Sequence, residues 1–180
     1  KEIRLTPQVD PPQISVQVSL SDHLWGHEIQ IDLQKSGCNL MQASGNAAQP
    51  ILLHYPDAEL WSPENPALYD LEIRLIHKNE VLDTIKSYCG FREIKLQPDE
   101  HGIPKIFLNR KQIFQYGPLD QGYWPDGLYT APTDEALCFD IEFCKSLGMN
   151  MIRKHIKVEP ARWYYHCDRM GMLVWQDMPC

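Results

Sequence analysis

The sequence predicts two folds in succession, an antiparallel β-sandwich and then a parallel segment of alternating strands and helices. Three observations predict this. Up to about Leu96, apolar and polar residues alternate with period two, the mark of half-buried strands. Beyond "QPDEHG" (Gln97 to Gly102) the period lengthens to that of amphipathic helices. Near the end, two such helical stretches each close on a glycine and run at once into a short apolar run, "MNMI" after Gly148 and "MLVW" after Gly171.

In the first half, "ISVQVSL" (Ile14 to Leu20) and "EIQIDLQ" (Glu28 to Gln34) alternate. The second puts Ile29, Ile31 and Leu33 on one face, and "LYDLEIRLI" (Leu68 to Ile76) does the same with Leu71, Ile73 and Leu75. Turn signals stand between strands: "DPP" at Asp10, "SG" at Ser36, "SGN" at Ser44, "SPENP" at Ser62 and "KNE" at Lys78.

In the second half, "KIFL" and "QIFQYG" read as a hairpin about Asn109-Arg110, and the parallel sheet is expected to begin from Gln112. A polar loop rich in Gly, Pro and aromatics follows. Thr133 is a good N-cap, with Asp134 and Glu135 in the first turn, where the helix dipole favours negative charge. Leu137, Ile141, Cys144 and Leu147 form an apolar stripe, and Gly148 supplies the left-handed cap. Pro160 suits the first position of a second helix, which Gly171 closes. Strand, helix, strand, helix, strand is the pattern of a parallel sheet, three strands and two helices in all. That is not a closed fold, so the chain reads as part of a longer one.

Bulk composition narrows the function. Hydrophobic residues make up 43% and charged residues 23%, the composition of an ordinary globular protein. Net charge is −7 with scattered Lys and Arg, which argues against nucleic acid or an anionic membrane as partner. No run reaches the roughly 18 apolar residues of a membrane span. "KEIRLTPQVDPP" lacks the apolar core of a signal peptide. Localisation stays open, and a periplasmic or secreted site would require a signal already removed. None of the six cysteines forms a C-x-x-C pair, so they read as free core or surface thiols and not as a zinc site. No metal and no cofactor is expected.

"LWSPENPALYDLEIRL", "SYCGFREIKL", "IFLNRKQIFQYG", "LGMNMIRKH" and "YYHCDRMGMLVWQD", in that order, resemble glycoside hydrolase family 2, which includes β-galactosidases, β-glucuronidases and β-mannosidases. The residues that carry the resemblance are Gly90-Phe91-Arg92, Leu108-Asn109-Arg110-Lys111, Asn150-Met151-Ile152-Arg153 and Cys167-Asp168-Arg169-Met170-Gly171. The resemblance implies an immunoglobulin-like β-sandwich over residues 1–97 and, over 98–180, the first three strands and two helices of a (β/α) TIM barrel. It also implies a retaining β-glycosidase. That mechanism needs two carboxylates about 5 Å apart, one acid/base and one nucleophile. In the family both stand at later barrel strands, so this chain alone is expected to be inactive.

Barrel active sites lie at the C-terminal ends of the strands, and the candidate pocket residues stand there. Arg153 matches the family's arginine close to the nucleophile, where a guanidinium would hold a carboxylate ionised; a structural ion pair is the alternative. His155 lines the pocket or is a hydrogen-bonded structural histidine. Lys154 reads as a surface or supporting charge. Asp120 and Gln121 replace the His-Glu of many relatives and could bind sugar hydroxyls. Trp124, with Tyr123, offers an aromatic face to a pyranose or packs its own loop. Asp177, after Gln176, binds a hydroxyl or orients Arg153; structural hydrogen bonding is the alternative. The expected partners are a carbohydrate substrate and the remainder of the barrel, with self-association through bare strand and helix faces. The rival reading is a non-catalytic sandwich that binds carbohydrate or protein, with a degenerate barrel remnant.

Overall fold

The computed structural model describes residues 2–20 and 26–179. The chain forms two compact units. The first comprises Lys1–Trp61, Ala67–Lys95 and Phe107–Arg110, and the second Ser62–Pro66, Leu96–Ile106 and Lys111–Cys180.

The first unit is built of antiparallel strands: β1 (Glu2–Val9), β2 (Pro12–Ser19), β3 (Glu28–Lys35), β4 (Cys38–Asn46), β5 (Ile51–His54), β6 (Tyr69–His77) and β7 (Glu80–Cys89). They form a three-stranded sheet in the order β1-β2-β5 and a four-stranded sheet in the order β4-β3-β6-β7. The alternation read from the sequence sets the inner faces. Ile31 pairs with Ile73 and Leu33 with Leu71 across β3 and β6. These residues share one core with Ile14, Val16 and Leu53 of the other sheet, as in a β-sandwich. Trp61 is fully buried; its amide donates to Phe91 O at 2.9 Å and the Arg92 guanidinium lies 4.4 Å from its ring.

The hairpins follow their turn chemistry. Ser36 and Gly37 both have positive φ, as do Lys78 and Asn79, which two-residue turns require. Asn46 ends β4, so the Ser44-Gly45-Asn46 stretch read as a turn belongs to a strand. Its alternation is blunted by Ser and Gly, and pairing with β3 decides it.

Three further strands, β8 (Ile94–Pro98), β9 (Pro104–Leu108) and β10 (Lys111–Gln112), form a sheet in the order β10-β9-β8. Asn109 and Arg110 make the expected left-handed turn between β9 and β10.

The second unit contains β11 (Leu119–Asp120), helix α1 (Asp134–Ser146), β12 (Met151–Lys154), helix α2 (Ala161–Met170) and β13 (Leu173–Gln176). The three strands are parallel and lie in the order β11-β12-β13. The first strand is shorter and later than "QIFQYG" predicts. The chain approaches β12 so closely at Gly117 that a Cβ there would fall 1.5 Å from Met151 O, and Pro118 has no N–H to donate. Only Leu119 and Asp120 settle into the ladder.

Thr133 caps α1 by accepting from the Ala136 amide at 3.1 Å. Leu137, Ile141 and Cys144 are buried, but Leu147 is exposed, because the helix has ended and Gly148 turns the chain away. Pro160 is the N-cap of α2 rather than its first helical residue, and Gly171 is its left-handed C-cap. Both helices pack on one face of the parallel sheet, against Ile152 and Val174.

Candidate functional site

Period two along β12 divides its side chains between the faces of the sheet. Ile152 and Lys154 face the helices, and Met151 and Arg153 face the other way. Cross-strand partners share a face. Asp120 and Gln176 therefore stand beside Lys154 on the helix side, and Leu119 and Trp175 beside Arg153 on the open side. Leu119 and Trp175 are both exposed.

On the open side, Arg153 Nε and Nη2 donate to a single oxygen of Asp177, Oδ2, at 3.1 and 2.8 Å. The Asp177 amide donates to Lys154 O at 3.0 Å, which fixes the carboxylate at the end of β13. The two side chains are 43% and 29% exposed, so the pair is open to a ligand. One carboxylate on two guanidinium donors is an orienting device, and it leaves Oδ1 directed elsewhere.

On the helix side lies a buried cluster of charge. Lys154 Nζ contacts Asp120 Oδ2 and, at 2.9 Å, Glu159 Oε1. It also lies 4.4 Å from the centre of the Trp163 ring. Lys157 Nζ reaches the same Glu159 oxygen at 2.9 Å and donates to Gly122 O at 2.6 Å. The other oxygen of Asp120 accepts from the Gly122 amide at 2.7 Å. Gly122 has φ +63, and a Cβ there would stand 2.5 Å from Glu159 Oε1. Gln176 Nε2 donates to Lys157 O at 2.8 Å, and Tyr164 Oη donates to Gln176 Oε1. Two ammonium groups meet two carboxylates at contact distance, the condition under which ions tolerate burial, and the nearby Asp140 carboxyl is pushed up by burial and by Asp120 and Glu159.

The candidates thus divide. Arg153 and Asp177 meet. His155 and Gln121 meet as well: Gln121 Nε2 donates to His155 Nδ1 at 3.0 Å, and the His155 amide to Asp120 O at 2.8 Å. Asp120 has both carboxylate oxygens engaged, which ties it to Lys154 and the backbone. Trp124 closes its own loop by two backbone bonds with Leu128, at 2.7 and 3.0 Å, and its half-buried indole Nε1 has no hydrogen-bond partner among the described residues. Tyr123 Oη lies 2.7 Å from Tyr129 Oη.

Lys154 is not a surface charge: it is 1% exposed. Lys157 and Glu159 were missed altogether. A charged pair two apart before a proline reads as loop surface. Only its extended spacing, which sends both side chains the same way, carried a signal. For a metal, one donor group exists among the described residues, Asp134, Cys138 and His166, on α1 and α2.

Known proteins resemble the chain along most of its length. The sequence model of "Glycosyl hydrolases family 2" matches residues 2–92. A β-galactosidase of Thermoanaerobacter pseudethanolicus is 30% identical over 125 residues, covering 66% of this chain and 16% of the relative. An FMN-binding β-glucuronidase from Facaelibacterium prausnitzii L2-6 superposes with a TM-score of 0.81 at 26% identity, over 98% of this chain and 27% of that one. A β-glucuronidase from Ruminococcus gnavus in complex with C6-substituted uronic isofagomine gives a TM-score of 0.84 at 20% identity, over 99% of this chain and 29% of that one, which speaks for the fold alone. The chain spans 16–17% of the length of the first curated relatives it matches.

Proposed function

The chain belongs to the glycosyl hydrolases of family 2, and from that premise we propose that it serves a retaining β-glycosidase that hydrolyses O-glycosyl bonds. In this reading residues 1–97 are an immunoglobulin-like sandwich, and residues 98–180 are the opening of a (β/α) barrel. The reading is supported by family membership, by relatives named β-galactosidase and β-glucuronidase, and by the three parallel strands with both helices on one face.

The observation that carries it is the Arg153–Asp177 pair. It stands at the C-terminal ends of adjacent parallel strands, on the face opposite the helices, where barrel enzymes place their chemistry. The role we assign to Arg153 is to hold the nucleophilic carboxylate ionised and in line with the anomeric carbon. Asp177 restrains the guanidinium so that little order is lost when that carboxylate arrives. His155 and Gln121, bonded to each other, line the same rim and are assigned to sugar hydroxyls. Asp120 is assigned to support through Lys154. Trp124 is assigned to the loop wall.

The 180 residues alone should not hydrolyse glycosides. The two carboxylates that Lys154 brings together, Asp120 and Glu159, lie on the helix side with its ammonium between them. No sugar can enter there. A retaining pair must face the substrate from an open cleft.

The test uses a polypeptide of the relatives' length that carries these residues. It should release aryl aglycones from at least one of the β-galactoside, β-glucuronide and β-mannoside, with retention of anomeric configuration. Arg153→Met should lower kcat/KM by about 100-fold or more, the scale of losing one preorganised charge at the reacting centre. Inversion of configuration, or an Arg153→Met enzyme of undiminished activity, would overturn the reading. Turnover by the 180-residue chain itself would overturn the assignment of its carboxylates.

A further inference from the structure

Helices α1 and α2 carry donor groups that glycoside hydrolysis does not use. Asp134 and Cys138 are one turn apart on α1 and therefore share a face. His166, which is buried, comes from α2. The two helices pack through Leu137, Ile141, Trp163 and Cys167, which brings the three residues together. One donor atom from each lies within 4.8 Å of the others, and His166 Nε2 stands 3.0 Å from Asp134 Oδ2. We propose that Asp134, Cys138 and His166 bind one divalent transition metal ion of the zinc class.

The donor set selects the metal. A carboxylate, a thiolate and an imidazole suit zinc or cobalt(II), and the sulfur argues against magnesium and calcium. Bonds of about 2.0–2.3 Å in a tetrahedron set neighbouring donors roughly 3.5 Å apart. The His–Asp separation of 3.0 Å is shorter than this and the donors all lie within 4.8 Å of one another, so binding would open the first contact and draw the wider ones in. Asp134 is exposed, which leaves the fourth position to water.

Two arginines stand against a cation here, and they define how binding must proceed. Arg162 Nε lies 3.5 Å from Asp134 Oδ1, which leaves Oδ2 for the metal. Arg169 Nη2 lies 3.5 Å from His166 Nδ1 and 3.7 Å from Cys138 Sγ, and its side chain is exposed. A guanidinium donor on Nδ1 places the imidazole proton on Nε2. When the metal takes Nε2, that proton is carried on Nδ1 instead, and the thiol releases its own proton to solvent. Nδ1–H then faces an N–H donor, so Arg169 swings outward. Removing Arg169 should therefore tighten binding.

The experiment is a cobalt(II) titration of the untagged 180-residue chain under reducing conditions that do not chelate metal. One equivalent should produce a near-ultraviolet thiolate-to-cobalt charge-transfer band with the intense visible bands of a four-coordinate ion, and zinc should abolish both. Cys138→Ser, close to isosteric, should remove the charge-transfer band. His166→Gln should weaken binding at least tenfold, and Arg169→Ala should strengthen it severalfold. Melting of each metal-free variant monitors the fold; should His166→Gln unfold, Cys138→Ser carries the test. A missing charge-transfer band, or one of full strength in Cys138→Ser, overturns the site. Weaker binding by Arg169→Ala overturns the displacement of the arginine.

Discussion

Lys154 Nζ lies 2.9 Å from Glu159 Oε1, and the two side chains are 1% and 3% exposed. A strand residue and a loop residue five positions later are thus joined by an ion pair closed to solvent. Asp120 and Lys157 complete the cluster and tie the ends of β11 and β12 to the loop that follows.

Replacing Lys154 with Met should cost about 3–5 kcal/mol, because Asp120 loses its ion-pair partner and Glu159 one of two. Urea unfolding of parent and variant measures it. A loss below about 1 kcal/mol would mean that water reaches the cluster.

Gly122→Ala should be more damaging than Gly37→Ala. Both positions have positive φ, which costs any L-residue roughly 1–2 kcal/mol. At Gly37 nothing lies within 4 Å of a new Cβ, whereas at Gly122 it meets Glu159 Oε1 at 2.5 Å and Lys157 Nζ at 2.7 Å. Equal melting points for the two variants would argue against this packing.

In the sandwich, Ile31→Ala should cost about 2–5 kcal/mol, since Ile31 is fully buried between the sheets. Val81→Ala, on an exposed stretch of β7, should stay within about 0.5 kcal/mol. Denaturant midpoints distinguish the two.

Burial pushes the Cys89 thiol up to about 12 from an ordinary value of 9.0, with Asp70 adding to the effect. Above pH 9 the unfolded chain therefore releases a proton that the folded chain keeps. Stability should fall as pH rises through 9 towards 12, by at most about 1.4 kcal/mol per unit from this group. Cys89→Ala should flatten the alkaline limb of the stability profile. An unchanged limb would show that the thiol is hydrated.

Local pattern settled much of the first unit. The alternation of Ile29, Ile31 and Leu33 and of Leu71 and Ile73 named the inner faces, and the Ser36-Gly37 and Lys78-Asn79 turns set the hairpins, because side-chain direction and turn chirality are properties of a few adjacent residues. Thr133, Gly148 and Gly171 marked the helix ends for the same reason. β4 and the late start of β11 were not legible. The first depends on pairing with β3, and the second on how closely the backbone passes Met151 at Gly117.

The sequence by itself determined the alternation of strands and helices, the family resemblance and the strand ends at which a site could form. Tertiary structure alone decided which charges face which side. It turned Lys154 inward to Asp120 and Glu159, and it set Arg153, one residue earlier, on Asp177 in the open. It also brought His166 to Cys138 from 28 positions along the chain. A charged residue reads as surface in any local window. Only partners distant in sequence can offset its desolvation and allow it to be buried.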